Sequence, residues 1–171
     1  REASLWSPAL AQPGVRRRAS VLDRGPAADE VLTDADPEDC GTGPAGRWII
    51  DPDGAVVRAG LVRQYGARHG LWQLDPDIAY LTGDRVPDGV RGFEIIEALP
   101  LREKALRQAL SALDCGALEI LVRGVDVDPD ALRRRLRPTG SVSLSVVIMR
   151  MGTGSGSRAV ARGPNRPRPD R

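Results

Sequence analysis

The stretch from Gly116 to Arg137, GALEILVRGVDVDPDALRRRLR, constrains the fold of this chain more than any other. Leu118, Ile120 and Val122 alternate with less apolar neighbours, the period of a strand with one buried face. Asp128-Pro129-Asp130 then opens a helix. The Asp128 side chain is placed to accept from the free N–H groups of the next turn. Pro129 has no N–H to leave unsatisfied at the first helical position, and Asp130 complements the positive helix end. The exposed side of that helix is almost entirely arginine, and a long β-branched run, Ser141 to Met151, comes soon after it.

The remaining elements follow from the same signals. Arg47-Trp48-Ile49-Ile50 reads as a short strand. Asp51-Pro52-Asp53 repeats the capping logic and predicts one helix to about Arg68, with Val56, Val57, Gly60, Leu61 and Tyr65 on one face and Gly70 ending it. Leu71 to Leu74 and Ile78 to Leu81 read as brief extended pieces around the turn Asp75-Pro76-Asp77, and Arg91 to Ala98 as a strand built on Phe93, Ile95 and Ile96. After Pro100 the spacing predicts a helix over Leu101 to Leu113, with Leu106, Ala109 and Leu110 inside. Gly152 to Gly156 reads as a flexible turn that returns Arg158 to Ala161 as a hairpin partner of the preceding strand. No doubly wound nucleotide fold emerges from this order. The expected class is α+β: a small mixed sheet with about three helices, preceded by a β-hairpin remnant and a linker.

The division expected along the chain is into four parts. Residues 1–24 form a hairpin, with strands around Ala3 to Trp6 and Arg17 to Leu22, that has no core of its own and must pack on something else. Residues 25–46 are acidic, rich in Ala, Pro, Gly and Asp, and are expected to be a flexible linker. Residues 47–161 form the compact domain, and 162–171 are a disordered basic tail of arginine and proline. The first residue is Arg1 and the opening segment already reads as a strand, so the chain is expected to be the end of a longer protein.

Several motifs resolve into ordinary structure. Gly41-Thr42-Gly43-Pro44-Ala45-Gly46 matches G-x-G-x-x-G, but a nucleotide site needs a strand before it and a helix after it, and here an acidic loop precedes and a strand follows. Asp126, Asp128 and Asp130 have the spacing that begins a calcium loop, yet Ala131 and Arg137 stand where glycine and glutamate are required. Cys40 and Cys115 lack the spacing of a metal or disulfide framework and read as free thiols. His69, the single histidine, sits at a helix C-terminus, where a cap is the expected role. Trp6, Trp48 and Trp72 are assigned to the core in preference to base stacking. No catalytic residue, metal ligand or cofactor-binding residue is assigned. No stretch approaches the roughly 20 apolar residues of a membrane helix, and no secretory signal is recognisable, so a cytoplasmic protein with no membrane partner is expected.

Charge location is the remaining signal. Of 25 basic side chains only Lys104 is a lysine, and the net charge is +2. Guanidinium groups bind phosphate as a bidentate fork, so their placement matters more than their sum. Arg58 and Arg63 fall on the first predicted helix, Arg102, Lys104 and Arg107 on the second, Arg123 at a strand end, and Arg133, Arg134, Arg135 and Arg137 on or beside the third. If these faces converge they make a phosphate-binding surface; scattered, they are a solvated face.

The ordered stretches Asp51 to Val62, Leu74 to Asp84, Phe93 to Pro100 with Lys104 to Arg107, and Arg123 to Pro129 resemble the THUMP-like C-terminal domain of bacterial class I S-adenosylmethionine-dependent methyltransferases. The head, Glu2 to Trp6 with Arg17 to Leu22, resembles the closing hairpin of the methyltransferase domain that precedes it in that family. The resemblance implies a missing N-terminal methyltransferase domain that carries the chemistry and, in the full-length protein, the cofactor S-adenosylmethionine. The cofactor-binding and catalytic segments of the family do not occur in this chain. It also implies an RNA substrate, tRNA or rRNA, docked on the basic set named above. The competing expectation is a structural or dimerisation domain of a methyltransferase with a non-RNA substrate.

Overall fold

The computed structural model describes residues 7, 9–22 and 29–150, and the backbone of 157–161. In chain order the elements are β1 (Arg18–Val21), β2 (Glu30–Thr33), β3 (Trp48–Asp51), α1 (Gly54–Ala59), α2 (Val62–His69), β4 (Trp72–Gln73), β5 (Leu81–Gly83), β6 (Arg91–Glu94), β7 (Ala98–Pro100), α3 (Glu103–Ala112), β8 (Cys115–Arg123), α4 (Pro129–Leu136), β9 (Val142–Arg150) and β10 (Ser157–Ala161). The class is α+β.

Two four-stranded sheets form the centre. One is antiparallel, in the order β4-β5-β3-β6. The other is mixed, in the order β7-β10-β9-β8, with β8 and β9 parallel and the β10 pairings antiparallel. Parallel neighbours need a crossover, and α4 supplies it between β8 and β9. Side-chain alternation then builds the layers. On the mixed sheet Leu118, Ile120, Leu144, Val146 and Ile148 point to a core shared with Leu106 and Leu110 of α3 and with Leu132 and Leu136 of α4. Val147 and Met149, on the opposite face of β9, pack against Ile49, Tyr80 and Phe93 of the antiparallel segment. Ile50 and Leu81 face outward from that sheet onto Val56, Leu61 and Tyr65 of the α1–α2 segment, together with Ala19 and Leu32. The result is four layers, helices outside and sheets within. β9 is central and buried on both faces, which is why its run Leu144 to Met149 is almost continuously apolar.

Four expectations change. The helix predicted over 51–68 is two helices, because Gly60 adopts φ 66° as the C-cap of α1 and its N–H bonds back to Val56 and Val57. The linker expected over 25–46 is structured wherever it is described. Glu30 to Thr33 form β2 against β1, Leu32 is fully buried, and Cys40 lies in the same core. Alanine, glycine and aspartate concealed that segment, since it contributes only a few large apolar side chains to a core made mostly by other elements. β1 takes β2 as its described partner; the strand predicted around Ala3 to Trp6 lies outside the described residues, as do the Gly152 to Gly156 turn and the 162–171 tail. The strand predicted over Arg91 to Ala98 divides into β6 and β7, which belong to different sheets, and Ile96 between them is exposed. With four helices and three sheets among the described residues, the layout exceeds the single small sheet expected.

Candidate functional site

α3 and α4 lie side by side on the mixed sheet, and both are aimed by their apolar faces. Leu106 and Leu110, and Leu132 and Leu136, stand four residues apart and bury inward, leaving the intervening positions at the surface. α4 begins as its sequence requires: the Asp128 carboxylate accepts from the N–H groups of Asp130 at 2.9 Å and Ala131 at 3.0 Å. The N–H of Ala131 holds that carboxyl below its ordinary range against the opposing effect of desolvation, with Asp130 N–H and the Arg134 and Arg135 guanidiniums adding to the lowering. Arg137 ends the helix in the left-handed conformation, φ 48°.

Between the two helices is an open cleft of about 950 Å³, walled by Arg107 from α3 and by Arg134, Arg135 and Arg137 from α4 and its end, with Leu110, Cys115 and Leu136 on its apolar side. Two carboxylates also line it. Asp114 accepts from the N–H of Ser141 at 3.2 Å and from its hydroxyl, fixing the Gly140 turn against the start of β8. Glu103 spans the helices: Oε1 accepts from Arg107 at 2.9 Å and Oε2 from Arg135 at 2.9 Å. Arg107 also donates to the Arg135 carbonyl at 3.0 Å. Arg134 and Arg137 are exposed, with no ion-pair or hydrogen-bond acceptor for their side chains among the described residues.

The ten basic residues singled out from the sequence divide sharply by position. Arg107, Arg134, Arg135 and Arg137 meet at the cleft, and Arg102 and Lys104 are exposed at the start of the same α3. Arg133 is on α4 but turns to the sheet, donating Nε to the Leu118 carbonyl of edge strand β8 at 2.9 Å and pairing with Asp130 at 2.5 Å. Arg123 lies over the Tyr80 ring, 5.1 Å from its centroid, and pairs with Asp51 at 3.4 Å. Arg58 and Arg63 belong to the opposite outer layer, where they donate to the carbonyls of Gly54 and Glu38. Sequence reasoning left out Glu103, for which α3 alone carries no signal.

Arg123 is one part of an ionic seam between the sheets. Arg91 of β6 pairs with Glu119 of β8, which also accepts from the Ser145 hydroxyl at 2.9 Å. Arg150 of β9 holds Asp75 at 3.2 Å and Asp77 at 3.0 Å. Burial pushes the Asp51 carboxyl up, against the pull of Arg123 and Arg91. For Glu119, burial also favours the neutral form but is outweighed by the bonds from Arg91 and Ser145, and its carboxyl stays below the ordinary range. These charges are occupied in joining two sheets, a structural task.

The glycine motif is likewise structural. A Cβ on Gly46 would come within 2.9 Å of the Gly83 backbone and the Trp72 ring, and the Gly46 N–H donates to the Thr82 hydroxyl at 2.9 Å. Trp72 donates its indole N–H to the Pro44 carbonyl at 2.7 Å. The glycines admit a tryptophan and a strand, and no helix N-terminus follows them, so this loop does not fit S-adenosylmethionine. Trp48 is part-buried beside the α1–α2 core, and Trp6 lies outside the described residues. His69 pairs with Glu30 at 3.0 Å, tying the end of α2 to β2. No helix among the described residues is long and apolar enough to cross a membrane.

Residues 90–162 match a family model described as THUMP domain-like. That segment takes in every strand of the mixed sheet together with β6, α3 and α4. Two Mycobacterium tuberculosis proteins, from strains CDC 1551 / Oshkosh and ATCC 25618 / H37Rv, are each described as an uncharacterized S-adenosylmethionine-dependent methyltransferase. Both are 67% identical over 161 residues, covering 94% of this chain and 44% of the relative. The chain therefore spans less than half the length of the curated relatives it matches. A crystal structure from Porphyromonas gingivalis W83, described as a "putative methyltransferase", superposes with a TM-score of 0.67 at 19% identity, covering 86% of this chain and 37% of that one. That likeness concerns the fold alone. The resemblance read from the sequence is borne out as a similarity: residues 90–162 are like a THUMP-like domain, and the chain is similar to part of proteins described as S-adenosylmethionine-dependent methyltransferases.

Proposed function

We propose that this chain is the C-terminal, RNA-docking part of an S-adenosylmethionine-dependent methyltransferase, with the cofactor and the methyl transfer supplied by a preceding N-terminal domain of the longer polypeptide. The observation that carries the reading is the convergence of Arg107, Arg134, Arg135 and Arg137 on one cleft. Guanidiniums on the rims of a concave surface raise the local concentration of phosphate and bind it through paired N–H donors. No aromatic side chain lines the cleft, since the described aromatics belong to the segments on the other side of the mixed sheet. Recognition there is therefore of the phosphate backbone rather than of stacked bases. A tRNA or rRNA substrate and a cytoplasmic setting belong to the same proposal.

The competing reading, a structural or dimerisation domain, draws support from Arg58, Arg63, Arg123 and Arg133, each of which already has an acceptor within the protein. One binding experiment separates the two. Retention of a small-RNA pool and of duplex DNA is measured on the full 171-residue chain at low and physiological salt. The cleft reading expects salt-sensitive RNA retention. Arg134→Glu with Arg137→Glu should then weaken it and flatten the log–log salt dependence by about 1.4, two cations at about 0.7 each for a single strand. Absence of retention by the folded wild-type chain, or retention unaffected by the double substitution, would move the assignment to the structural role.

A further inference from the structure

We infer that Glu103 is a built-in counter-anion that sets the selectivity of the α3–α4 cleft, so that only a ligand presenting several phosphates engages all four of its arginines. This inference rests on the cleft being the anion-binding site of the proposed function.

One carboxylate serves two guanidiniums from two different helices, with Oε1 on Arg107 and Oε2 on Arg135. Neither oxygen is left over for a single partner. Asp114, the other carboxylate of the cleft, is engaged by Ser141 and does not take part. Of the four arginines, two share a single internal carboxylate, while Arg134 and Arg137 stand open. The side chains of Glu103, Arg107 and Arg135 retain 38%, 54% and 54% of their exposure, so the bridge lies in water. Exposed pairs of this kind are weak and yield to a better acceptor.

The consequence is a threshold. An isolated chloride, carboxylate or monophosphate meets two free guanidiniums and the negative field of Glu103, and binds poorly. A strand with successive phosphates first occupies Arg134 and Arg137. Its next phosphate is then held at high local concentration beside the bridge, where it displaces a carboxylate tied by only one bond to each arginine. Arg107 keeps its bond to the Arg135 carbonyl throughout, so the helices stay joined when the carboxylate swings away.

The test is the binding of a short, mixed-sequence single-stranded RNA to the full chain across a salt series, comparing wild type, Glu103→Gln and Asp84→Asn. Glutamine keeps the shape and one acceptor oxygen but removes the charge. Asp84, exposed in the turn after β5, controls for the same change in net charge away from the cleft. Glu103→Gln should bind about threefold to tenfold more tightly at low salt, with a salt slope steeper by up to about 1.4, and should gain measurable affinity for inorganic phosphate. Asp84→Asn should leave both unchanged. If wild type binds RNA and Glu103→Gln binds no better, or if Asp84→Asn matches it, the role given to Glu103 is wrong and the cleft reading survives. If neither wild type nor Glu103→Gln binds, both fall together.

Discussion

At the scale of single residues, two buried polar atoms among the described residues are informative. The Tyr65 hydroxyl and the Gln64 side-chain carbonyl are buried with no hydrogen-bond partner among the described residues. Burial also drives the Tyr65 phenol far above its ordinary range, with Glu30 and Asp53 adding to the effect, so it stays a neutral donor throughout. An unsatisfied buried hydroxyl costs free energy that a phenyl ring of the same shape does not. Tyr65→Phe is expected to leave stability unchanged or raise it by up to about 1 kcal/mol in a urea titration; a loss of that size would mean the hydroxyl has an acceptor after all. The sequence was most transparent at this scale where local chemistry decides alone. Asp128, Pro129 and Asp130 act as read because a cap needs only its own next turn. Arg133 was misleading for the opposite reason: whether an α4 arginine faces water or plugs the Leu118 carbonyl on the edge of β8 depends on where the sheet lies.

Elements were legible in proportion to their local signals. α3, α4, β8 and β9 carry clean periodicity and appear where expected, and β10 pairs with β9 as its spacing predicted. The break between α1 and α2 was hidden because an isolated glycine in an apolar helical pattern is compatible with continuation. Here Gly60 has to be left-handed for Leu61 to turn into the core, and a Cβ on it would meet the Arg17 guanidinium at 2.8 Å. Gly60→Ala should therefore cost about 1–2 kcal/mol, read as a lower denaturation midpoint at unchanged slope. If alanine were neutral, the two helices would have to be able to merge. The division of 91–100 between two sheets carried no such signal, since β6 and β7 are each short and only their partners, β3 and β10, tell them apart.

For the whole molecule, the layered packing joins what composition seemed to separate. Ala19, Leu32 and Cys40 share a core with Ile50, Val56 and Leu61, so the compact unit extends back well before Trp48. A chain beginning at residue 47 should lose the cooperative transition of the full chain and expose the α1–α2 face, which dye binding and thermal unfolding would report. An unchanged transition would instead mark 7–46 as dispensable. The amino-acid sequence by itself determined the α+β class, the capped basic helix after a strand, the inward faces of α3 and α4, and the similarity to a THUMP-like domain. All of these depend on neighbours within about one turn or one strand, or on ordered motifs. Which arginines meet was decided only by the tertiary structure. Two crossovers set α3 and α4 side by side on one face of the mixed sheet, gathering Arg107, Arg134, Arg135 and Arg137 on one cleft in which Glu103 bridges two of them. The second sheet then carried Arg58 and Arg63 to the far side and drew Arg123 into the seam between the sheets. A charge's partners lie wherever packing puts them, and packing of this kind joins residues far apart in the chain.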